Sequence, residues 1–225
     1  MVKGRDEFGF QSMVGGIGDT IRFERGETIY QPGNESKFVY IVEEGRVRVD
    51  YLDESGKKLT LFILGPGEMF GEMCLVGEKY RRHMATAIEE AVIRRVDRKT
   101  FPEMLKEDPS YFDLLLEHFA RRMREFEEAL ENLAFRDISA RMARMLLKLS
   151  GEYGVETEEG IVIGFHITHK DLADMIGAAR ENVTNALNRF VSENILGKRG
   201  YRIVIRDEEG LREKCHVPVA GKNGE

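Results

Sequence analysis

The chain has 225 residues, 42% of them hydrophobic and 33% charged, with a formal net charge of −6. That apolar fraction is ample for one or two buried cores. Its two cysteines, Cys74 and Cys215, exclude an intrachain disulfide framework and a thiolate-held metal or iron–sulfur centre. No apolar run approaches the roughly 20 residues that span a bilayer, and no basic-then-apolar leader opens the chain, so a cytoplasmic protein is expected.

The charge is unevenly placed. Residues 1–135 carry 20 Lys+Arg against 26 Asp+Glu, whereas residues 136–225 carry 14 of each, so the acidity lies wholly in the first part. A neutral C-terminal part can approach a polyanion, with modest and salt-sensitive nonspecific affinity.

From Ile21 to about Val96, short β-rich runs are punctuated by glycines, including Gly26, Gly45, Gly56 and Gly71. Val39–Val42, Val47–Val49 and Leu59–Ile63 recur at the spacing of a compact antiparallel β-barrel, assigned to residues 1–109. Over 110–135 the period changes. Phe112, Leu116, Phe119, Met123, Phe126, Leu130 and Leu133 alternate by four and three, which predicts a helix of about 36 Å whose seam pairs with a second copy. The other reading packs that stripe on its own barrel. Phe135-Arg136-Asp137 ends the seam and Ile138 to Leu149 starts a new helix, so a third segment covers 136–225.

Residues 166–205 read as helix, glycine turn, helix and a two-stranded wing. Thr168 and Asp171 stand at capping-box spacing, Leu172 and Ile176 mark a buried face, and Gly177 supplies a turn with no Cβ penalty. In the second helix Val183, Leu187, Phe190 and Val191 face inward. Arg180, Glu181, Thr184, Asn185, Asn188 and Arg189 face out, and such side chains can address base edges in a major groove. His169 and Lys170 at the start of the first helix, Ala179 before the second, and Lys198 and Arg199 in the wing complete the candidate DNA surface. The plain alternative, a solvated helix face, is weakened by the wing.

Barrel, long helix, hinge and winged helix-turn-helix in this order resemble the catabolite activator and fumarate–nitrate regulator (Crp/Fnr) family of bacterial transcription factors. Three motifs carry the resemblance: Gly71-Glu72-Met73 with Arg81-Arg82, Asn132 to Ile138, and Ala179 to Asn185. It implies an α+β chain with a jelly-roll sensor, a homodimer on palindromic double-stranded DNA, contact with RNA polymerase, no membrane and no enzymatic activity. It further implies an effector site at Gly71, Glu72, Met73 and one of the two arginines. The chemistry is readable in itself, since a glycine turn exposes amides, Glu72 accepts from a sugar hydroxyl and a guanidinium forks onto phosphate. Counting back from Val96 favours Arg81, and counting forward from Gly71 favours Arg82.

Several positions depart from the family pattern for cyclic AMP. Arg82 or His83 stands where a small hydroxyl residue follows the arginine, and Phe126 and Glu127 stand where a Thr-Ser pair reaches the purine. Ala179 replaces a usual serine, and Asn185 stands where an arginine is frequent. A cyclic nucleotide, haem held by His83 or His118, and no effector at all are therefore competing expectations, and the iron–sulfur branch is excluded. A cupin-type metal enzyme is the rival of a different class, but residues 21–96 contain no His-x-His pair.

Overall fold

The computed structural model describes residues 10–215. The chain divides into two compact units, one up to Arg124 and one from Glu125.

The first unit contains a short helix α1 (Phe10–Val14) and eight strands: β1 (Asp19–Phe23), β2 (Thr28–Tyr30), β3 (Phe38–Glu44), β4 (Val47–Leu52), β5 (Lys58–Leu64), β6 (Met69–Phe70), β7 (Met84–Ala87) and β8 (Ala91–Asp97). They form two antiparallel four-stranded sheets, ordered β1-β8-β3-β6 and β2-β7-β4-β5. The arrangement is jelly-roll-like rather than a closed barrel. Strand β3 shows why its sequence is a continuous apolar run instead of an alternation: both faces are covered. Tyr40 and Val42 point into the roll with Val49, Leu64, Phe70 and Ile93, while Val39 and Ile41 pack with Phe10, Met104 and Leu115.

Helix α2 (Phe101–Glu107) leads into α3 (Ser110–Phe135). No glycine or proline interrupts α3, and the Asp108 carboxylate accepts from the Ser110 amide at 3.0 Å at its start. One face buries Leu115, His118 and Arg122. The predicted stripe is turned elsewhere. Phe112, Leu116, Met123, Phe126, Leu130 and Leu133 are about half exposed or more, and Phe119 alone of the seven is partly buried against the first unit's core.

After the last turns of α3, the second unit contains α4 (Ile138–Tyr153), capped by Asp137, whose carboxylate accepts from the Ala140 amide at 2.8 Å. It continues through β9 (Gly154–Thr157), β10 (Gly160–Ile163), α5 (His169–Ile176), α6 (Arg180–Ser192), β11 (Leu196–Arg199), β12 (Arg202–Ile205) and α7 (Glu208–Glu213). The expected two-stranded wing is corrected to a four-stranded sheet ordered β11-β12-β10-β9. The added pair lies at 154–163, where the β-branched run Ile161-Val162-Ile163 between glycines carries the signal.

The capping box forms as expected. Thr168 Oγ1 accepts from the Asp171 amide, and the Asp171 carboxylate accepts from the Thr168 amide. Gly177 ends α5 at φ 61°, a left-handed position that a Cβ makes costly. Arg141 of α4 donates to the Ile176 carbonyl at 2.8 Å, satisfying an end of α5 that lacks an internal partner. The hinge motif has its own tie, since Arg136 donates both to Glu131 and to the Cys215 carbonyl.

Candidate functional site

In the second unit, α6 sorts its residues at helical period. Val183, Ala186, Leu187 and Phe190 are buried, while Arg180, Glu181, Asn185 and Asn188 are exposed in a row. Arg and Asn present paired donors or mixed donor and acceptor groups, so this row carries the chemistry that distinguishes base pairs.

Not all the expected contacts share that row. Thr184 is half-buried; its hydroxyl donates to the Arg180 carbonyl at 2.9 Å and lies 3.0 Å from His169 Nδ1, fastening the start of α5 to α6. Lys170 Nζ is paired at 2.6 Å with the buried Asp174, which needs a counter-charge once it is out of water. Arg189 donates to Ser139 at the start of α4. Each of these polar side chains is consumed locally, a fate that helical spacing alone does not reveal.

The wing divides its two cations. Pairing of β11 with β12 sets Leu196 against Ile205, Lys198 against Ile203 and Arg199 against Arg202. Side-chain alternation then puts Lys198 on the face of the buried Leu196 and Ile205, and Arg199 with Arg202 on the other. Lys198 lies close enough to His169 for its charge to act on the imidazole. Burial holds that imidazole below the ordinary histidine range, and the positive charges of Lys198 and Arg180 lower it further. The tip of the wing is Gly200-Tyr201, so Lys198 and Arg199 lie within strand β11. Gly200 has φ 62°, and the exposed Tyr201 ring stands edge-on to His166 at 5.8 Å. Tyr201, Arg202 and His166 were not among the expected contacts; the glycine–aromatic pair between two short β runs was their only sequence signal.

In the first unit, Gly71 (φ 72°) ends β6 and opens a 3-10 turn over Glu72–Val76. Register decides between the arginines: Arg81 is 4% exposed inside the roll and Arg82 faces out. Arg81 Nη1 donates to the Gly71 carbonyl at 2.7 Å, and Nη2 donates to the Phe38 carbonyl. Its guanidinium carbon lies 4.5 Å from the Tyr30 ring centre and 5.4 Å from that of Tyr40. Tyr30, Tyr40 and Phe70 form a ring cluster with centroids 5.1–6.0 Å apart. Burial raises both phenols above the ordinary tyrosine range, and Arg81 partly offsets the rise.

Glu72 faces α3. His118 Nε2 lies 3.9 Å from its carboxylate, and Arg121 donates toward His118 Nδ1 at 3.4 Å, which assigns the imidazole proton to the nitrogen facing Glu72. Burial raises the Glu72 carboxyl, but His118 and Arg122 outweigh it and leave it below the usual carboxylate range. Arg122 itself donates to the Met69 carbonyl and stands 4.0 Å over the Phe62 ring. Met73, Phe126 and Glu127 are exposed. His118 is 2% exposed between Phe10 and Phe119, and His83 stands beside Tyr51. Among the described residues, no three His, Cys, Asp or Glu side chains gather as a metal site, and no helix is long and apolar enough to cross a membrane.

Residues 20–108 match a cyclic nucleotide-binding domain and residues 140–214 a Crp-like helix-turn-helix domain. The transcriptional regulator SdrP of Thermus thermophilus is 33% identical over 209 residues, covering 92% of this chain and 98% of that one. The chain belongs to the CRP/FNR family. It is thus a DNA-binding transcription regulator and not an enzyme. The cyclic AMP receptor protein of Thermus thermophilus is 30% identical and covers 85% of each chain. A solved CRP/FNR-family regulator from the same organism superposes with a TM-score of 0.74 at 30% identity, over 88% of this chain and 98% of that one.

Ala179 is the N-cap of α6 and provides no side-chain hydrogen bond to the first turn. Ala179→Ser should stabilise the protein by about 0.5–2 kcal/mol, read as a raised midpoint in urea unfolding at unchanged slope. An unchanged or lowered midpoint would mean that the first-turn amides already have partners.

Proposed function

We propose that this regulator works as a homodimer on palindromic DNA, with Arg180, Glu181, Asn185 and Asn188 of α6 reading bases and His169 and Lys198 holding phosphate. The observation that carries this reading is the exposed polar row on a helix whose opposite face is fully packed. Lys170 and Arg199 have lesser parts, the first because Asp174 neutralises it and the second because it lies on the other face of the wing. In functional terms the division is a sensor over 1–109, a dimer helix over 110–135 and a reading head over 136–225, working in the cytoplasm with RNA polymerase as the downstream partner.

Support for the dimer comes from the α3 stripe. Six large apolar side chains about half exposed or more along one helix form a patch that a lone chain leaves in water, and a second copy of the same seam covers it. Twofold pairing would set two recognition helices about 34–36 Å apart, the separation of successive major grooves. The sensor then acts through the geometry of that pair. An effector, or any internal contact that favours one dimer geometry, shifts the balance only by its differential stabilisation of the two.

Arg180→Ala should cost about 1–3 kcal/mol on a specific duplex and little on random DNA, measured by fluorescence anisotropy at fixed salt. Equal losses on both would assign Arg180 to phosphate. Met123 is 63% exposed in the single chain, so Met123→Glu leaves the protomer folded while placing two carboxylates across the seam. Sedimentation should then show a monomer with an intact circular dichroism spectrum and no palindrome binding; an undisturbed dimer would remove the stripe from the interface.

A further inference from the structure

The match to a cyclic nucleotide-binding domain raises the question of whether the groups present fit such a ligand. A cyclic nucleotide offers one anionic phosphodiester, a ribose hydroxyl and a purine face. Binding it here requires a guanidinium free to fork onto phosphate, a carboxylate free to accept from the hydroxyl and an open space between the sheets.

Each of the three is already engaged. Each terminal nitrogen of Arg81 donates one bond to the chain's own backbone, Nη1 to the Gly71 carbonyl and Nη2 to the Phe38 carbonyl, and its face is covered by Tyr30. Its Nε has no hydrogen-bond partner, yet a bidentate grip through Nε and Nη2 would first have to release Phe38. The fit at Gly71 is close enough that a Cβ there would stand 2.8 Å from Arg81 Nη1. Glu72, the hydroxyl acceptor, is turned to His118 and Arg122 of α3. The space beside the guanidinium is filled by Tyr30, Tyr40 and Phe70, of which Tyr30 is 6% exposed.

We infer that the sensor is occupied from within: Arg81 is a structural key that joins β3, the Gly71 turn and two tyrosines, Tyr30 stands where a ligand would lie, and DNA binding needs no cyclic nucleotide. This rests on the regulator reading above and adds how that regulator is controlled. A sensor held in this way fixes one protomer geometry at synthesis, so control passes to the amount of protein made, or to a factor acting outside the roll.

The test uses the purified full-length chain with cyclic AMP and cyclic GMP as probes at about 1 mM. A ligand at 100 times its dissociation constant adds about 2.7 kcal/mol of stability, a shift of several degrees in melting temperature, whereas this inference predicts a shift below about 1 °C with either nucleotide. Arg81→Gln should melt several degrees lower than wild type with no nucleotide present, because two part-buried carbonyls lose the guanidinium donors. Affinity for a duplex selected from a random pool should change less than about twofold on adding nucleotide. The inference is overturned by a clear melting shift in wild type that vanishes in Arg81→Gln, by an unaltered melting point of that variant alone, or by a tenfold gain in DNA affinity. A chain that selects no duplex at all would sink the regulator reading, and the melting measurements would still decide the state of the roll.

Discussion

A guanidinium is costly to take out of water without partners for its charge and donors, and the roll supplies Arg81 with partners for both terminal nitrogens while leaving its Nε without one. Two carbonyls, one from β3 and one from the Gly71 turn, take the terminal nitrogens, and the faces of Tyr30 and Tyr40 take the charge. Gly71 must lack a side chain for the approach and must reach positive φ for the turn. The same contacts tie β2, β3, β6 and β7 through one residue, so the local conformation of the cassette and the packing of the roll are a single problem.

Helix α3, packed on that arrangement, has two unlike faces. Toward the roll it offers His118, Arg121 and Arg122, which meet Glu72, Glu68 and the Met69 carbonyl, polar contacts that fix position better than apolar area does. On the remaining surface it offers the apolar stripe. The Gly71–Glu72 turn is thereby packed directly on α3. In the second unit the corresponding division is in α4 to α6, where Arg141, Arg189 and His169 hold helices together while Arg180, Glu181, Asn185 and Asn188 of α6 face solvent.

Much of this was legible in the sequence, for identifiable reasons. The α3 stripe, the Thr168–Asp171 box, the Gly177 turn and most of the buried face of α6 each rest on local spacing, and local spacing survives folding; Val191, expected on that face, is exposed at the last turn of α6. The choice between Arg81 and Arg82 was not legible, because opposite counts came from two ends of a loop whose length hides the register of β7. Lys170 and Arg189 are exposed as expected but pair with Asp174, four residues along the same helix, and with Ser139, while Thr184 is half-buried against His169, a contact between helices that spacing within one helix does not specify. Lys198 and Arg199 are neighbours in sequence, yet adjacent residues in a strand must face opposite ways. The β9–β10 hairpin has its signal in the glycine-bounded β-branched run 161–163.

The central claim is that a sensor filled by its own side chains stands on a helix that pairs with its copy. Native mass spectrometry of the full-length protein as purified addresses both halves at once. The account predicts a species of two chains, each of 25.8 kDa, with no added mass of nucleotide or haem; a single-chain species, or a dimer carrying a retained small molecule, would contradict it.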